Sequence, residues 1–153
     1  MKHSNKRFLS ALLLVCMILS MNCAFASAAY IPPDDSQSSD YISSYTAWVN
    51  NDGGGEISCT VYVTGVVNAT MIGAQDIYFY ESTSEHGTYS YVDHYNYATN
   101  PDMMGTGMIY QDSPVSYENA VANRWYMAVV TIYVGDSTGH DTRTIYTDPV
   151  KAT

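Results

Sequence analysis

The strongest constraint on the fold is an alternation of apolar side chains within the segment 124–149. Apolar residues occupy every second position there: Tyr126, Ala128, Val130, Ile132 and Val134. In an extended strand such residues lie on one face. A polar, glycine-containing loop and a threonine-rich run follow, which together predict a β-hairpin. We therefore expect the first arm of this hairpin to be the buried central strand of a small β-sandwich.

Further short strands are predicted from apolar alternation between turn-forming segments. They cover residues 41–50, 56–67, 74–81, 88–97, 108–111 and 115–120, with breaks expected at the glycine run 53–55 and at Pro101, Gly105 and Gly107. Seven or eight short strands at this spacing indicate an all-β fold, an antiparallel sandwich of about seven strands. Cys59 shares a face with Ile57, Val61 and Val63, and we expect it to be a buried thiol.

The first 28 residues have the three parts of a secretory signal peptide. A basic start precedes an apolar run over residues 8–21, and Ala26-Ser-Ala28 matches a cleavage site. The apolar run is shorter than the roughly 20 residues that a membrane-spanning helix needs. We expect cleavage after about Ala28, secretion from the cell and no membrane insertion. The Pro-, Ser- and Asp-rich residues 29–40 are expected to form a flexible leader, and residues 41–153 a single domain.

Removal of the signal peptide makes the chain strongly acidic. Three of the six Lys and Arg leave with it, so three remain against 15 Asp and Glu, and the net charge becomes −12 with His neutral. Such a chain repels phosphate backbones and anionic lipid surfaces, so neither nucleic acid nor a membrane is an expected partner. Two of the three cysteines leave as well, so no internal disulfide is expected.

Two resemblances narrow the fold. Tyr126 follows the turn 121–125 and opens the buried strand, which resembles the tyrosine corner of immunoglobulin-like and fibronectin type III-like sandwiches. In that motif the tyrosine hydroxyl bonds to an upstream backbone group, and the resemblance implies the same here. Four segments carry a second resemblance: Ile42–Trp48, Ile72–Tyr78, Tyr126–Tyr133 and Asp141–Thr144. Through them residues 40–152 resemble a family of small secreted proteins of Gram-positive bacteria whose common domain has no assigned function.

Patterns typical of catalysis or metal binding are weak. After residue 28 the histidines are His86, His94 and His140, each adjacent to an acid in sequence. Adjacent residues of a strand point to opposite faces, so these neighbours do not form acid–base couples. The chain has no Gly-x-Ser-x-Gly elbow and no recognised metal-ligand spacing, and the loop 52–56 is better explained as a tight turn than as a calcium site. We expect no catalysis, no metal and no cofactor.

Tyrosine is the unusual component of the composition. All 15 tyrosines follow residue 28, against three Phe and two Trp in the whole chain. If residues 88–97 form a regular strand, one face of it carries Tyr89, Tyr91, Asp93, Tyr95 and Tyr97. Tyr78 and Tyr80 lie opposite two apolar residues of their strand, and Trp125 and Tyr133 lie opposite the core face of theirs. The candidate ligand-binding residues are therefore Tyr78, Tyr80, Tyr89, Tyr91, Tyr95, Trp125 and Tyr133.

An outer face of this kind has two explanations. Amphipathic aromatic rings stack on sugars or anchor a protein partner. Tyrosine also has a high β propensity and pairs well across strands, which explains outward tyrosines without any ligand. The first explanation predicts a secreted, non-enzymatic module that binds an extracellular glycan, the cell wall or a protein. A self-assembling protein that pairs through edge strands is the alternative, and a toxin or bacteriocin-like effector is a third hypothesis.

Overall fold

The computed structural model describes residues 39–111 and 115–153, and their fold is all-β. The strands are β1 (Ile42–Gly53), β2 (Glu56–Ser82), β3 (Ser90–Asn96), β4 (Met104–Gln111), β5 (Val115–Tyr117), β6 (Trp125–Gly135), β7 (His140–Tyr146) and β8 (Val150–Lys151). A 3₁₀ turn, Pro101–Met103, precedes β4. The signal peptide predicted for residues 1–28 and most of the predicted leader, residues 29–38, lie outside the described residues. Within those residues, no helix combines the length and the apolar character needed to cross a membrane.

The 27-residue strand β2 is the spine of a single antiparallel sheet of eight strands. One edge of β2 pairs with β1 over residues 56–65 and with β6 over residues 71–82. Its other edge pairs with β5, β4 and β3 in turn. The sheet continues from β6 to β7, and β8 pairs with the start of β6. The prediction of two separate strands at 56–67 and 74–81 is therefore wrong, because residues 68–73 continue the same strand.

The long strand curls, and the sheet forms a half-barrel. Tyr117 of β5 pairs with Ile57 near the start of β2, yet its ring centroid lies 6.1 Å from that of Phe79 near the end of β2. A straight strand would separate Ile57 from Phe79 by roughly 73 Å at the usual rise of about 3.3 Å per residue. The two ends of β2 therefore face each other across the core, and Tyr117 also contacts Tyr126 of β6 at a centroid distance of 6.0 Å.

Irregular pairing in the middle of β2 accompanies this curl. The register with β4 shifts between Thr64 and Ile72, and the register with β6 shifts between Ala74 and Asp76. A shift of one residue moves the side chains that follow to the other face. The positions of the following buried apolar residues accordingly change from odd to even numbers and back again along the strand: Ile57, Cys59, Val61 and Val63, then Ile72 and Ala74, then Ile77 and Phe79.

Glycine at position 73 is required by this geometry. Its φ of 146° lies in the region that side chains disfavour, and a Cβ there would lie 2.3 Å from the backbone oxygen of Met103. Gly105 and Gly107, which were expected to break the chain, lie inside β4. Gly105 faces the ring of Tyr110, where a Cβ would lie 3.0 Å from a ring carbon. These glycines let β4 follow the curve of β2 at close range.

The predicted core of the hairpin is confirmed. The five alternating residues of β6 are fully buried, and so is Cys59. The hydroxyl of Tyr126 accepts a hydrogen bond of 2.7 Å from the backbone N–H of Val121, as the tyrosine-corner resemblance implies. The architecture is all-β and antiparallel as predicted, but the two layers around the core are the halves of one curled sheet. Two separate sheets were expected from the immunoglobulin-like or fibronectin type III-like pattern.

Candidate functional site

The strand register brings three of the predicted tyrosines together on the outer surface of the sheet. Tyr78 and Tyr80 alternate with the buried residues Ile77 and Phe79 along β2, so they point away from the core. Tyr91 of β3 pairs with Tyr80, and directly paired residues lie on the same face. We call the outer surface of β3, β6, β7 and residues 76–82 of β2 the tyrosine face.

A tyrosine, a histidine and an aspartate form the most ordered group on this face. His94 of β3 pairs with Tyr78, and their rings stack with centroids 4.1 Å apart and planes 3° apart. The Nε2 atom of His94 lies 2.8 Å from Oδ1 of Asp76, within hydrogen-bonding distance. Both polar side chains remain partly exposed, at 27% for His94 and 21% for Asp76. The group therefore offers a ring edge, an imidazole and a carboxylate to the solvent side by side.

Tyr80 and Tyr91 extend this group toward the hairpin that joins β2 to β3. Their rings meet edge to face, with centroids 6.1 Å apart and an interplanar angle of 79°. Tyr91 is 57% exposed, so much of its ring surface is open to solvent. The stack on His94 occupies one face of Tyr78, which makes Tyr91 the ring most available for stacking on a ligand.

The electrostatic surroundings keep the phenol of Tyr78 protonated. Desolvation raises its pKa above the ordinary value, and the nearby Asp76 carboxylate and the phenols of Tyr80 and Tyr91 raise it further. An ionised phenol at this position would be repelled by the carboxylate. The hydroxyl is therefore a neutral hydrogen-bond donor and acceptor across the physiological pH range.

Trp125 and Tyr133 also lie on the tyrosine face, at opposite ends of β6. Both alternate with the buried residues of that strand and are half-buried. Tyr133 stacks on His140 of β7, with centroids 5.2 Å apart and planes 17° apart. Trp125 pairs with Ser82 of β2 and with Lys151 of β8. The two side chains are roughly 26 Å apart along the strand at the usual rise per residue, so they do not form one compact site.

The prediction that Tyr95 belongs to this face is wrong. Tyr95 pairs with the buried residue Ile77, so it points inward. Its hydroxyl donates a hydrogen bond of 2.8 Å to the backbone oxygen of Ser116, and its ring meets that of Phe79 edge to face. The cause is an irregularity in β3: Tyr80 pairs with Tyr91, but the preceding residue of β2 pairs with position 93 rather than 92. One extra residue turns the rest of β3 over.

This inward position changes the chemistry of Tyr95. Burial raises its pKa to about 12, and the nearby carboxylates of Asp93 and Glu118 add to the shift. Asp93 pairs with Phe79 and so also lies on the inward side, although it was expected among the outward tyrosines. Tyr95 thus joins β3 to β5, two strands that pair with opposite ends of β2. Its role is to hold the curl rather than to meet a ligand.

Tyr89 lies apart from the tyrosine face. It precedes the first residue of β3, and its hydroxyl donates a hydrogen bond of 2.8 Å to the backbone oxygen of Glu85. Burial raises the pKa of this phenol, and the Glu85 carboxylate adds to the shift. Tyr89 therefore stabilises the turn between β2 and β3.

Three side chains of this face were not among the predicted site residues. His94 was considered only with its sequence neighbour, and Asp76 was not a candidate, whereas the structure pairs the two with each other from adjacent strands. Tyr146 ends β7 opposite Val129 and is 37% exposed. The alternation of Asp76 with Tyr78 and Tyr80 was a usable signal for the aspartate. The positions of His94 and Tyr146 depend on register with other strands.

In the ranges 39–111 and 115–153, no three His, Cys, Asp or Glu side chains converge as a set of ligands. The Asp76–His94 pair supplies two such groups, which suits hydrogen bonding to a ligand.

Comparisons with known proteins yield one weak structural neighbour. No protein-family model matches the chain, and no curated protein matches it. The crystal structure of Spo0M, sporulation control protein, from Bacillus subtilis, is similar to 68% of this chain at 17% sequence identity and a TM-score of 0.37. The match covers 48% of the Spo0M chain, so it extends over about half the length of that protein. At this TM-score the similarity carries no inference about fold or function.

Proposed function

We propose that this protein is a secreted, non-enzymatic module that binds an extracellular glycan through the tyrosine face. The observation that carries the proposal is the assembly of Tyr78, Tyr80 and Tyr91 beside the hydrogen-bonded pair of Asp76 and His94. Aromatic rings contact the apolar C–H surface of a sugar, while a carboxylate and an imidazole bond to its hydroxyl groups. Both kinds of group are within reach of one ligand here.

The charge of the chain bears on the class of glycan. With a net charge of −12 after removal of residues 1–28, the secreted chain repels polyanions over distances comparable to the Debye length. An uncharged or amino-sugar polymer is compatible with this charge, and a cell-wall polysaccharide fits the proposed location outside the cell. A protein partner remains an outcome that the binding experiment distinguishes.

Secretion of the chain and its relationship to other proteins are part of the same proposal. Secretion is supported by the three-part pattern of residues 1–28, and mass spectrometry of the exported chain would locate the cleavage site. The relationship to immunoglobulin-like or fibronectin type III-like sandwiches is supported by the hydrogen bond between Tyr126 and Val121 at the start of β6. The relationship to small secreted proteins of Gram-positive bacteria depends on the four sequence segments that carry the resemblance.

A sedimentation assay tests the glycan hypothesis. The full chain is secreted by a Gram-positive host and mixed with isolated cell walls, chitin or cellulose, and the fraction that pellets is measured. We expect pelleting with at least one matrix and its loss when Tyr78, Tyr80 and Tyr91 are replaced by Ser. The fold of each variant is checked by near-ultraviolet circular dichroism.

A matched control carries aromatic substitutions on the outer surface of the other half of the sheet. Trp48 and Tyr62 alternate with buried residues of β1 and β2 and lie outside the tyrosine face. Replacing both by Ser should leave pelleting unchanged. Equal loss in the two variants would refute a site on the tyrosine face, and an absence of pelleting with every matrix would refute the glycan.

Self-association is the second candidate function, and an observation favours it. Among the described strands, β3 pairs only with β2 and β7 pairs only with β6, so each has an edge available for a further strand. Static light scattering across a range of protein concentrations tests this idea. A molar mass that rises with concentration would support strand pairing between copies, and a constant monomer mass would refute it.

A further inference from the structure

The tyrosine face has aromatic groups at two separate places, with polar residues between them. The first place holds Tyr78, Tyr80, Tyr91 and His94. The second holds the stacked pair Tyr133 and His140. The polar side chains between them come from four neighbouring strands: Asp76, Asn96, Thr131 and Thr144. We call these four residues the polar band.

The register gives the distance between the two aromatic groups. Tyr78 pairs with Val129 on β6, and Tyr133 lies four residues further along the same strand. Four residues of a strand span roughly 13 Å, and neighbouring strands lie about 4.8 Å apart. The two groups are therefore about 14 Å apart at the level of the backbone. Aromatic contacts act over centroid distances of about 4.5–7 Å, so one sugar ring cannot contact both groups.

The polar band lies across the path between them. Asp76 pairs with Thr131 of β6, and Thr131 pairs with Thr144 of β7, which places a carboxylate and two hydroxyls in one row. These groups donate and accept hydrogen bonds without adding a positive charge. A ligand that follows this row meets hydrogen-bonding groups in the middle and rings at both ends.

We propose that the ligand is an extended, uncharged oligosaccharide that lies along β2 and β6 and contacts both aromatic groups at once. This inference rests on the proposed function and specifies the ligand: several linked sugars rather than a terminal one. The first aromatic group binds one end of the segment, the polar band binds the hydroxyls of the middle, and Tyr133 with His140 binds the other end.

A series of ligand lengths tests the inference. The secreted full chain is titrated with chito-oligosaccharides and, separately, with cello-oligosaccharides of one to six sugars, and the affinities are measured by calorimetry. We expect the affinity in at least one series to rise with each added sugar until the ligand spans both aromatic groups, and then to level off. A single sugar that binds as tightly as the longest ligand would overturn the inference.

Variants locate the two ends of the ligand. Tyr133→Ala should weaken binding of the long ligands by about two- to tenfold, the range expected for one aromatic contact, and leave the shortest ligands within twofold. His140→Ala removes an exposed side chain from the same place and should also weaken binding of the long ligands. This variant tests the second aromatic group even if Tyr133→Ala fails to fold. Tyr78→Ala should weaken every length.

A control variant and the possible negative results distinguish failure of this inference from failure of the proposed function. Tyr62→Ala, on the same strand but outside the tyrosine face, should change no affinity. An affinity for the longest ligands that is unchanged in both Tyr133→Ala and His140→Ala would overturn the inference. If neither series binds while cell walls still pellet the protein, the extended-ligand inference fails and the proposed function stands. If cell walls, chitin and cellulose all fail to pellet it as well, both fail.

Discussion

Removing a single oxygen atom, by the substitution Tyr126→Phe, tests the hydrogen bonds that fasten the start of β6. The hydroxyl accepts a bond of 2.7 Å from the N–H of Val121 and donates a bond of 3.0 Å to Oε2 of Glu81. Oε1 of the same carboxylate accepts a hydrogen bond from Arg124. Burial raises the pKa of Tyr126; the Val121 N–H lowers it, and the Glu81 carboxylate raises it again. The hydroxyl is therefore neutral and able to make both bonds.

The expected loss follows from these two bonds. A neutral hydrogen bond contributes about 0.5–1.5 kcal/mol to stability and one to a charged group about 1.5–3 kcal/mol. In the variant, the half-exposed Val121 regains water at its N–H, and Glu81 keeps its bond to Arg124. Both effects place the loss near the low end of the sum, at about 2 kcal/mol. For a domain of this size that corresponds to a fall in Tm of roughly 8 °C.

Urea unfolding followed by tryptophan fluorescence measures this loss, because Trp125 adjoins the substituted residue. Tyr97→Phe is the control, since Tyr97 is an exposed tyrosine beyond the end of β3, and it should change stability by less than about 0.5 kcal/mol. A double-mutant cycle with Glu81→Gln should give a coupling energy of about 1 kcal/mol or more. A loss for Tyr126→Phe that equals the control would refute the assignment of stability to this hydroxyl.

Three further predictions concern stability and its dependence on pH. The pKa of Tyr95 is raised to about 12 from 10.0, so its contribution to the free energy of unfolding is present below pH 10 and is lost as the pH rises toward 12. Tyr95→Phe should make Tm less sensitive to pH in this window. A dependence of Tm on pH that is unchanged in the variant would contradict the inward position. A hydrogen bond from the Ser39 hydroxyl, with a further one from the Tyr41 N–H, lowers the pKa of Asp141 below 3.8, so its contribution to stability is present above that pH and is lost as the pH falls further. Asp141→Asn should speed amide hydrogen exchange at Tyr41, and unchanged exchange would count against the contact. Gly73→Ala should prevent folding or lower the free energy of unfolding by more than about 3 kcal/mol. Gly107 also has a positive φ, but no atom lies within 4 Å of a Cβ at this position, so Gly107→Ala should cost only about 1–3 kcal/mol. Thermal unfolding of the two variants measures the difference.

The hairpin core could be predicted from the sequence because it depends on local alternation. The five apolar positions of β6 and the buried face of Cys59 follow from the period of a strand, which any extended segment obeys. The hydrogen bond of Tyr126 could be predicted for a similar reason, since its partner Val121 lies only five residues away. These features need no knowledge of which strands are neighbours.

The continuity of β2 could not be predicted in this way. A stretch of mixed residues between two alternating runs has no strand period, and the strands predicted from the sequence ended at residue 67 and began again at residue 74. The structure keeps them in the strand because β4 and β6 pair with this stretch from both edges. The curl that results requires Met103 to approach Gly73 closely, although these two residues are far apart in the sequence.

The sequence by itself determined the all-β class, the buried strand and the abundance of tyrosines. Only the tertiary structure decided which of them share a face: the irregularity in β3 turned Tyr95 inward, and register placed His94 beside Tyr78 and Asp76. The physical reason is that alternation assigns a side chain to one of two faces within its own strand. The neighbour across the sheet depends on register, and a one-residue irregularity reverses every face that follows it.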